Sequence, residues 1–146
     1  MKKILFLFLV AGLLYACKKD KIGSKPFLSF KSYSADSISP TTDQFVVTLN
    51  VEDGDGDIED TLRIAPIIKS HGTDTLFIKK KMPGIESNKG NKIKGEIQIT
   101  LQNQEIIFGQ YAPIPKDSVH FMVFIKDNAG NISDTVYTPK IAYRSR

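Results

Sequence analysis

The chain has 146 residues, with 20 lysines and arginines against 16 aspartates and glutamates, a formal charge of +4, and a single cysteine. That length accommodates one domain with a real core but not comfortably two. One cysteine excludes an internal disulfide, and basic residues scattered along the chain give no footing for nucleic-acid binding.

Lys2 and Lys3 precede an apolar run from Ile4 to Tyr15, and Ala16, Cys17, Lys18 and Lys19 follow it. The run is too short to span a bilayer, so the pattern predicts a secretory signal over residues 1–16 and not a transmembrane anchor. Leu14-Tyr15-Ala16-Cys17 resembles the lipobox of bacterial lipoproteins, with Tyr15 where a smaller residue is usual. The resemblance implies that Cys17 is acylated, becomes the mature N-terminus and ties the protein to a membrane through residues 17–25. An ordinary cleaved signal with a chance cysteine is the alternative, but it leaves an exported thiol open to oxidation. Lys18 stands where an aspartate would retain such a protein at the inner membrane, which implies an outer-membrane address. Lys18-Lys19-Asp20 is loosely similar to the surface-export signals of Bacteroidetes lipoproteins, and leaves periplasmic and surface display both open. Cleavage before Cys17 removes Lys2 and Lys3 and no acid, so the charge falls from +4 to +2.

Beyond the tether, strand-like runs separated by Gly, Pro, Asn and Asp dominate, and no segment of helical length has a 3.6-residue apolar period. Residues 27–33 form the first predicted strand. Residues 44–52 alternate, with Phe45, Val47, Leu49 and Val51 on one face. Residues 62–68 repeat the pattern, and Pro66, which lacks a ladder donor, predicts an edge or bulge there. His71 sits in a predicted turn before a strand over 75–81. The Lys79-Lys80-Lys81 run is read as a solvated strand edge, with a site for anionic headgroups or glycans as the other reading. After a loop over 83–91, residues 92–101 make the clearest half-buried strand, with Ile93, Gly95, Ile97, Ile99 and Leu101 facing one way. Residues 105–108 read as a short strand or a helical turn, and Pro113 and Pro115 predict an extended crossing. Residues 119–125, apolar on both faces in the middle, predict a central strand that includes His120. Residues 132–141 supply the last. About seven strands in this length predict an all-β, Ig-like or fibronectin-like β-sandwich domain over 26–146.

Residues 52–60 read EDGDGDIED, and Asp53, Asp55 and Asp57 alternate with Gly54 and Gly56. Close carboxylates repel unless a cation, salt or hydration relieves them, and hard oxygen ligands suit Ca²⁺ better than Zn²⁺. The loop is not an EF-hand, because Ile58 occupies the sixth position, where glycine is required, and Ile64 the twelfth, where glutamate is required. In an Ig-like order the 53–60 loop and residues 127–131 (DNAGN) lie at the same end of the sandwich. Asp127 and Asn131 are therefore candidates to complete a Ca²⁺ site begun by Asp53, Asp55 and Asp57. Plain turns built on Asx hydrogen bonds and glycine dihedrals account for the same residues.

The order of signal, lipobox, DGDGDI, a strand near KGEI and a terminal DNAGNISDTV resembles the small Ig-like lipoproteins of Bacteroidetes. The resemblance implies architecture more than activity. The chain lacks the Cys…Trp…Cys pin of antibody domains. No nucleophile elbow or triad signature is present, no catalytic residue is assigned, and the acidic loop has no aromatic sugar platform. The expected function is a non-enzymatic binding or structural module of the cell envelope, with an unidentified envelope protein or polysaccharide as partner. A calcium-dependent adhesion or glycan-binding accessory protein is one alternative, and an envelope hydrolase with an unrecognised site is another. Replacing Cys17 with serine should release the protein from salt-washed membranes, and its continued retention there would refute the lipid anchor.

Overall fold

Period-two alternation sets the architecture. A computed structural model of the chain describes residues 23–58, 60–69, 76–82, 90–107 and 117–144. The strands are β1 (Phe27–Tyr33), β2 (Ser37–Ile38), β3 (Gln44–Asp53), β4 (Thr61–Ile68), β5 (Ile78–Lys81), β6 (Ile93–Gln102), β7 (Ser118–Lys126), β8 (Val136–Tyr137) and β9 (Ile141–Tyr143). One short helix, α1 (Asn103–Ile107), follows β6. One sheet (sheet A) has the order β1-β3-β6. The other (sheet B) runs β2-β9-β7-β4-β5, with β8 also on β7. All pairings are antiparallel except β2 with β9. The fold is an all-β sandwich with Ig-like strand order. Cys17 and the signal segment, His71, residues 83–89, Pro113 and Pro115 lie outside the described residues.

The core lies between the sheets. From sheet A, β3 contributes Phe45, Val47 and Leu49, all fully buried. From sheet B, β7 contributes Val119, Phe121, Val123 and Ile125, and β4 contributes Leu62 and Ile64. Phe45 and Phe121 meet across the gap with ring centroids 5.9 Å apart, and Tyr33 lies over Phe45 at 5.2 Å. Offset aromatic contacts at such separations add to the burial of the rings themselves.

Side-chain latches close both open sides of the sandwich. On one side Lys80 of β5 donates to Glu105 of α1 at 2.6 Å, and the Gln102 N–H donates to the other Glu105 oxygen at 2.9 Å. Burial alone would raise the Glu105 carboxyl, but these two donors outweigh it and hold the group below its usual range. Ile106 then points fully buried into the core. On the other side the Tyr33 hydroxyl donates to the Pro139 carbonyl at 2.6 Å, joining β1 to the β8–β9 connection.

Two expectations change in detail. The predicted strand over 132–141 is broken: only Val136 and Tyr137 pair as a strand before Pro139, and β9 begins at Ile141. On either side of β8, hydroxyls take ladder positions on β7. Phe121 N–H donates to Thr138 Oγ1 (2.7 Å) and Ile125 N–H to Ser133 Oγ (3.0 Å). The strand count rises from about seven to nine among the described residues, because β2 and β8 are two-residue pairings too short for a periodic pattern.

Pro66 behaves as its chemistry requires. It lies opposite Phe121, whose N–H and C=O both point toward Thr138 and away from β4. Position 66 therefore makes no ladder bond to β7, and β5 pairs with β4 only over 61–64. Among the described residues no strand pairs with position 66 on that side, so the missing donor interrupts no described ladder.

Replacing Phe121 with alanine removes the largest fully buried side chain of β7. The expected loss is about 3–5 kcal/mol of unfolding free energy, read as a lower midpoint in urea titration.

Candidate cation site at one end of the sandwich

The inward-facing row of β3 is Phe45, Val47, Leu49, Val51 and then Asp53, because the strand runs one residue beyond its expected end. The inward row of β7 ends in the same way, with Asp127 following Ile125. Both carboxylates are almost completely buried, with relative exposures of 0% for Asp53 and 1% for Asp127. They cap the core from opposite sheets. A buried charge without compensation costs several kcal/mol, so the neighbours of these groups decide what the end of the molecule can do.

Gly56 adopts φ 67°, which lets the chain turn back on β3. Asp57 N–H then donates to Asp53 Oδ2 at 3.1 Å. The loop is fixed to its neighbours as well. Gly90 N–H donates to the Asp55 carbonyl at 2.6 Å, and Asn128 N–H to the Asp57 carbonyl at 2.9 Å. Ala129 N–H donates to Asp57 Oδ2 at 2.9 Å. The expected meeting of the 53–60 and 127–131 loops is therefore present in the fold, and Asp57 makes the junction.

Asp127 is compensated within its own loop. Its Oδ1 accepts from Asn131 N–H at 2.7 Å and its Oδ2 from Asn131 Nδ2 at 2.9 Å. Asn131 Nδ2 also donates to the Ser24 carbonyl at 3.2 Å, which ties the start of the described chain to this loop. Gly130 (φ 93°) provides the turn between the two partners. Of the five candidate residues, the structure groups Asp53, Asp55 and Asp57 as potential ligands. It gives Asp127 and Asn131 a supporting role beside them.

The trio is left with unsatisfied oxygens. Asp53 Oδ1, Asp55 Oδ1 and Asp57 Oδ1 are all buried and have no hydrogen-bond partner. One carboxylate oxygen from each residue lies within 4.8 Å of the others. Two oxygens bound to the same Ca²⁺ are separated by roughly 5 Å at most, given Ca–O distances of about 2.3–2.6 Å, so the spacing allows all three to reach one ion. The set contains no nitrogen or sulfur ligand, as Zn²⁺ would favour. These three aspartates could hold a metal ion, and their donor chemistry fits a hard cation.

The local electrostatics point the same way. Burial raises the Asp55 carboxyl above its usual range, and the Asp53 charge adds to the effect. Burial also raises Asp57, with repulsion from Asp127 and then Asp55 adding to it. Repulsion of this kind is what a bound cation relieves.

Other features of chemical interest lie elsewhere. His120 is half-buried on the outer face of β7, opposite Ile67, and burial followed by the Lys140 charge lowers its pKa. Three open concavities of about 260, 360 and 390 Å³ lie along the strands, and neither His120 nor the acidic trio lines them. Parity was the sign that sequence reasoning missed: extending each alternation by one inward position puts Asp53 and Asp127 at the core boundary.

No protein-family model matches the sequence, and a search of curated proteins gives no match. Among solved structures, the chain is similar to a β-glucosidase from Listeria innocua in complex with glucose, with 10% identity and a TM-score of 0.43. The match covers 84% of this chain and 16% of the enzyme. A β-glucosidase from Kluyveromyces marxianus in complex with glucose aligns at 10% identity and a TM-score of 0.37, over 84% of this chain and 15% of the enzyme. The chain thus spans about one sixth of the length of these enzymes.

Because the folded-state pKa of Asp55 is raised, its ionised form costs stability at neutral pH, and that cost vanishes below the unfolded value of about 3.9. In chelator, Asp55→Asn should therefore be more stable than wild type at neutral pH. The difference should fall away as the pH drops through the carboxylate range, as read from thermal midpoints across pH. A difference independent of pH would contradict this account.

Proposed function

We propose that the chain is a non-enzymatic module of the bacterial cell envelope, held to the membrane by acyl-Cys17, whose sandwich binds Ca²⁺ through Asp53, Asp55 and Asp57. The observation that carries the cation reading is the set of three buried, partnerless Oδ1 atoms brought together at the end of the core. Turns held by Asx hydrogen bonds need no such atoms, since every acceptor in a plain turn can face water or a backbone N–H. The anchor reading rests on the short apolar run and the lipobox-like Leu14-Tyr15-Ala16-Cys17, together with the resemblance to small Ig-like lipoproteins of Bacteroidetes.

When bound, the ion would neutralise the carboxylates at the mouth between the sheets. Asp57 bridges the two loops, so occupancy would stiffen both 53–60 and 127–131 and present them as one rigid surface to an envelope protein or polysaccharide. The role of the cation is structural: it orders a binding end and performs no bond chemistry.

Calorimetric titration of the domain with CaCl₂ should give saturable heat. Calcium at a hundred times its Kd should stabilise the fold by about 2.7 kcal/mol, a rise in midpoint of roughly 10 °C. Asp55→Asn should abolish both. Absence of heat and of any midpoint shift at millimolar calcium would sink the cation reading.

A further inference from the structure

The two sheets present outer faces of very different character. On sheet A, outward charges neutralise one another: Lys31 of β1 pairs with Glu96 of β6 across the intervening β3, and Lys94 of β6 with Glu52 of the neighbouring β3. On sheet B, cross-strand register places Lys81 and Lys126 on either side of Thr61, and Lys79 and Phe124 on either side of Arg63. Residues directly opposite share a face, so all four cations project outward together. They are exposed, and none is in an ion pair among the described residues. Among the described residues, no carboxylate occupies an outward strand position of this sheet. Asp60 and Asp134 lie on the connections, and Asp134 is already paired with Lys25.

Exposed apolar groups gather on the same face. Ile132 bridges to Lys126 and is 52% exposed, and Tyr137 lies opposite Met122 and is 63% exposed. Phe77, 38% exposed, packs edge-on against Phe124 with centroids 5.3 Å apart. Lysines and arginines surrounding projecting tyrosine, phenylalanine and isoleucine suit the boundary between anionic headgroups and acyl chains, where each cation adds attraction and each ring sits at the interface.

The path of the chain selects the occupant. Ser24 and Lys25 are held against the β7–β8 connection by Asn131 and Asp134, and that connection includes Ile132 of this face. Cys17 is six residues before Gly23, a span of at most about 22 Å even when fully extended. A bilayer holding the acyl chains would therefore lie within that distance of Gly23, beside the connection that carries Ile132, and would meet this face at a high effective concentration.

We infer that the outer face of sheet B, centred on Arg63, Lys79, Lys81, Lys126 and the exposed rings beside them, docks on an anionic lipid surface. The domain then lies against its own membrane instead of swinging freely on the tether. This posture rests on the lipid-anchor reading of Cys17, but the affinity of the face for lipid does not.

The test uses the domain from Lys18 onward, which cannot be acylated at Cys17. The core residues among those described lie between Leu28 and Tyr143, and the fragment keeps every one of them. In chelator at low salt, it should co-sediment with phosphatidylcholine vesicles containing phosphatidylglycerol and not with phosphatidylcholine alone. Lys79→Ala with Lys81→Ala should weaken binding by about 30-fold, at roughly fivefold per cation. Lys94→Ala, on sheet A, should leave it unchanged. No sedimentation with anionic vesicles, equal binding by the double variant, or binding to polygalacturonate in preference to vesicles would overturn the inference. Release or retention of the Cys17→Ser protein in salt-washed membranes reports on the anchor alone, so the two readings fail separately.

Discussion

Two rows of inward-facing side chains, one from β3 and one from β7, press together to make the core, and both rows run out in aspartate. Phe45 against Phe121 sets the middle of that contact. Val51 and Ile125 are the last apolar members, and Asp53 and Asp127 take the next inward positions. A sheet cannot skip a position without a bulge, so the alternation that buries the phenylalanines also buries the carboxylates. The chemistry at this end of the molecule arises from that geometric constraint.

The two aspartates meet different fates because the turns after them differ. Asp127 begins a tight turn in which Asn131 returns two donors to its carboxylate. Asp53 receives one donor, from Asp57, and the glycine-rich turn brings two more carboxylates toward it. A closed hydrogen-bond cycle satisfies the acceptors of the first site from within. At the second, local donors are too few for the acceptors gathered there, and a partner from outside the chain would have to supply the balance.

The same economy of pairing distinguishes the outer faces. Sheet A ends its charges in cross-strand ion pairs, each worth little in stability because solvent screens them, but together they leave a neutral surface. Among the described residues sheet B has no carboxylate on its outward strand positions, so its outward lysines and Arg63 have no ion-pair partner there. A small domain with a modest net charge can in this way carry a strongly biased face. The two latches, Lys80 to Glu105 and Tyr33 to the Pro139 carbonyl, hold the sheets together at their sides without drawing on either outer surface.

Long strands were legible in the chain because alternation over 44–52 and 92–101 has no other physical reading. The two-residue strands β2 and β8 were not, since two residues carry no period. The broken stretch after Ile132 reads as a strand because its side chains suit one, yet Ser133 and Thr138 hydroxyls take places in the β7 ladder that backbone would otherwise fill. Residues 105–108 left strand and helical turn open, and the Glu105 contacts with Lys80 and the Gln102 N–H accompany a helix over Asn103–Ile107. By itself the sequence determined the all-β class, the turn at DGDG and the candidacy of its aspartates, because local periodicity and residue chemistry act over a few positions. Tertiary structure alone decided which carboxylates share a site, which loop supports them and which face keeps its charge unpaired. Those outcomes depend on strands distant in the chain meeting in register, and no local pattern encodes that meeting.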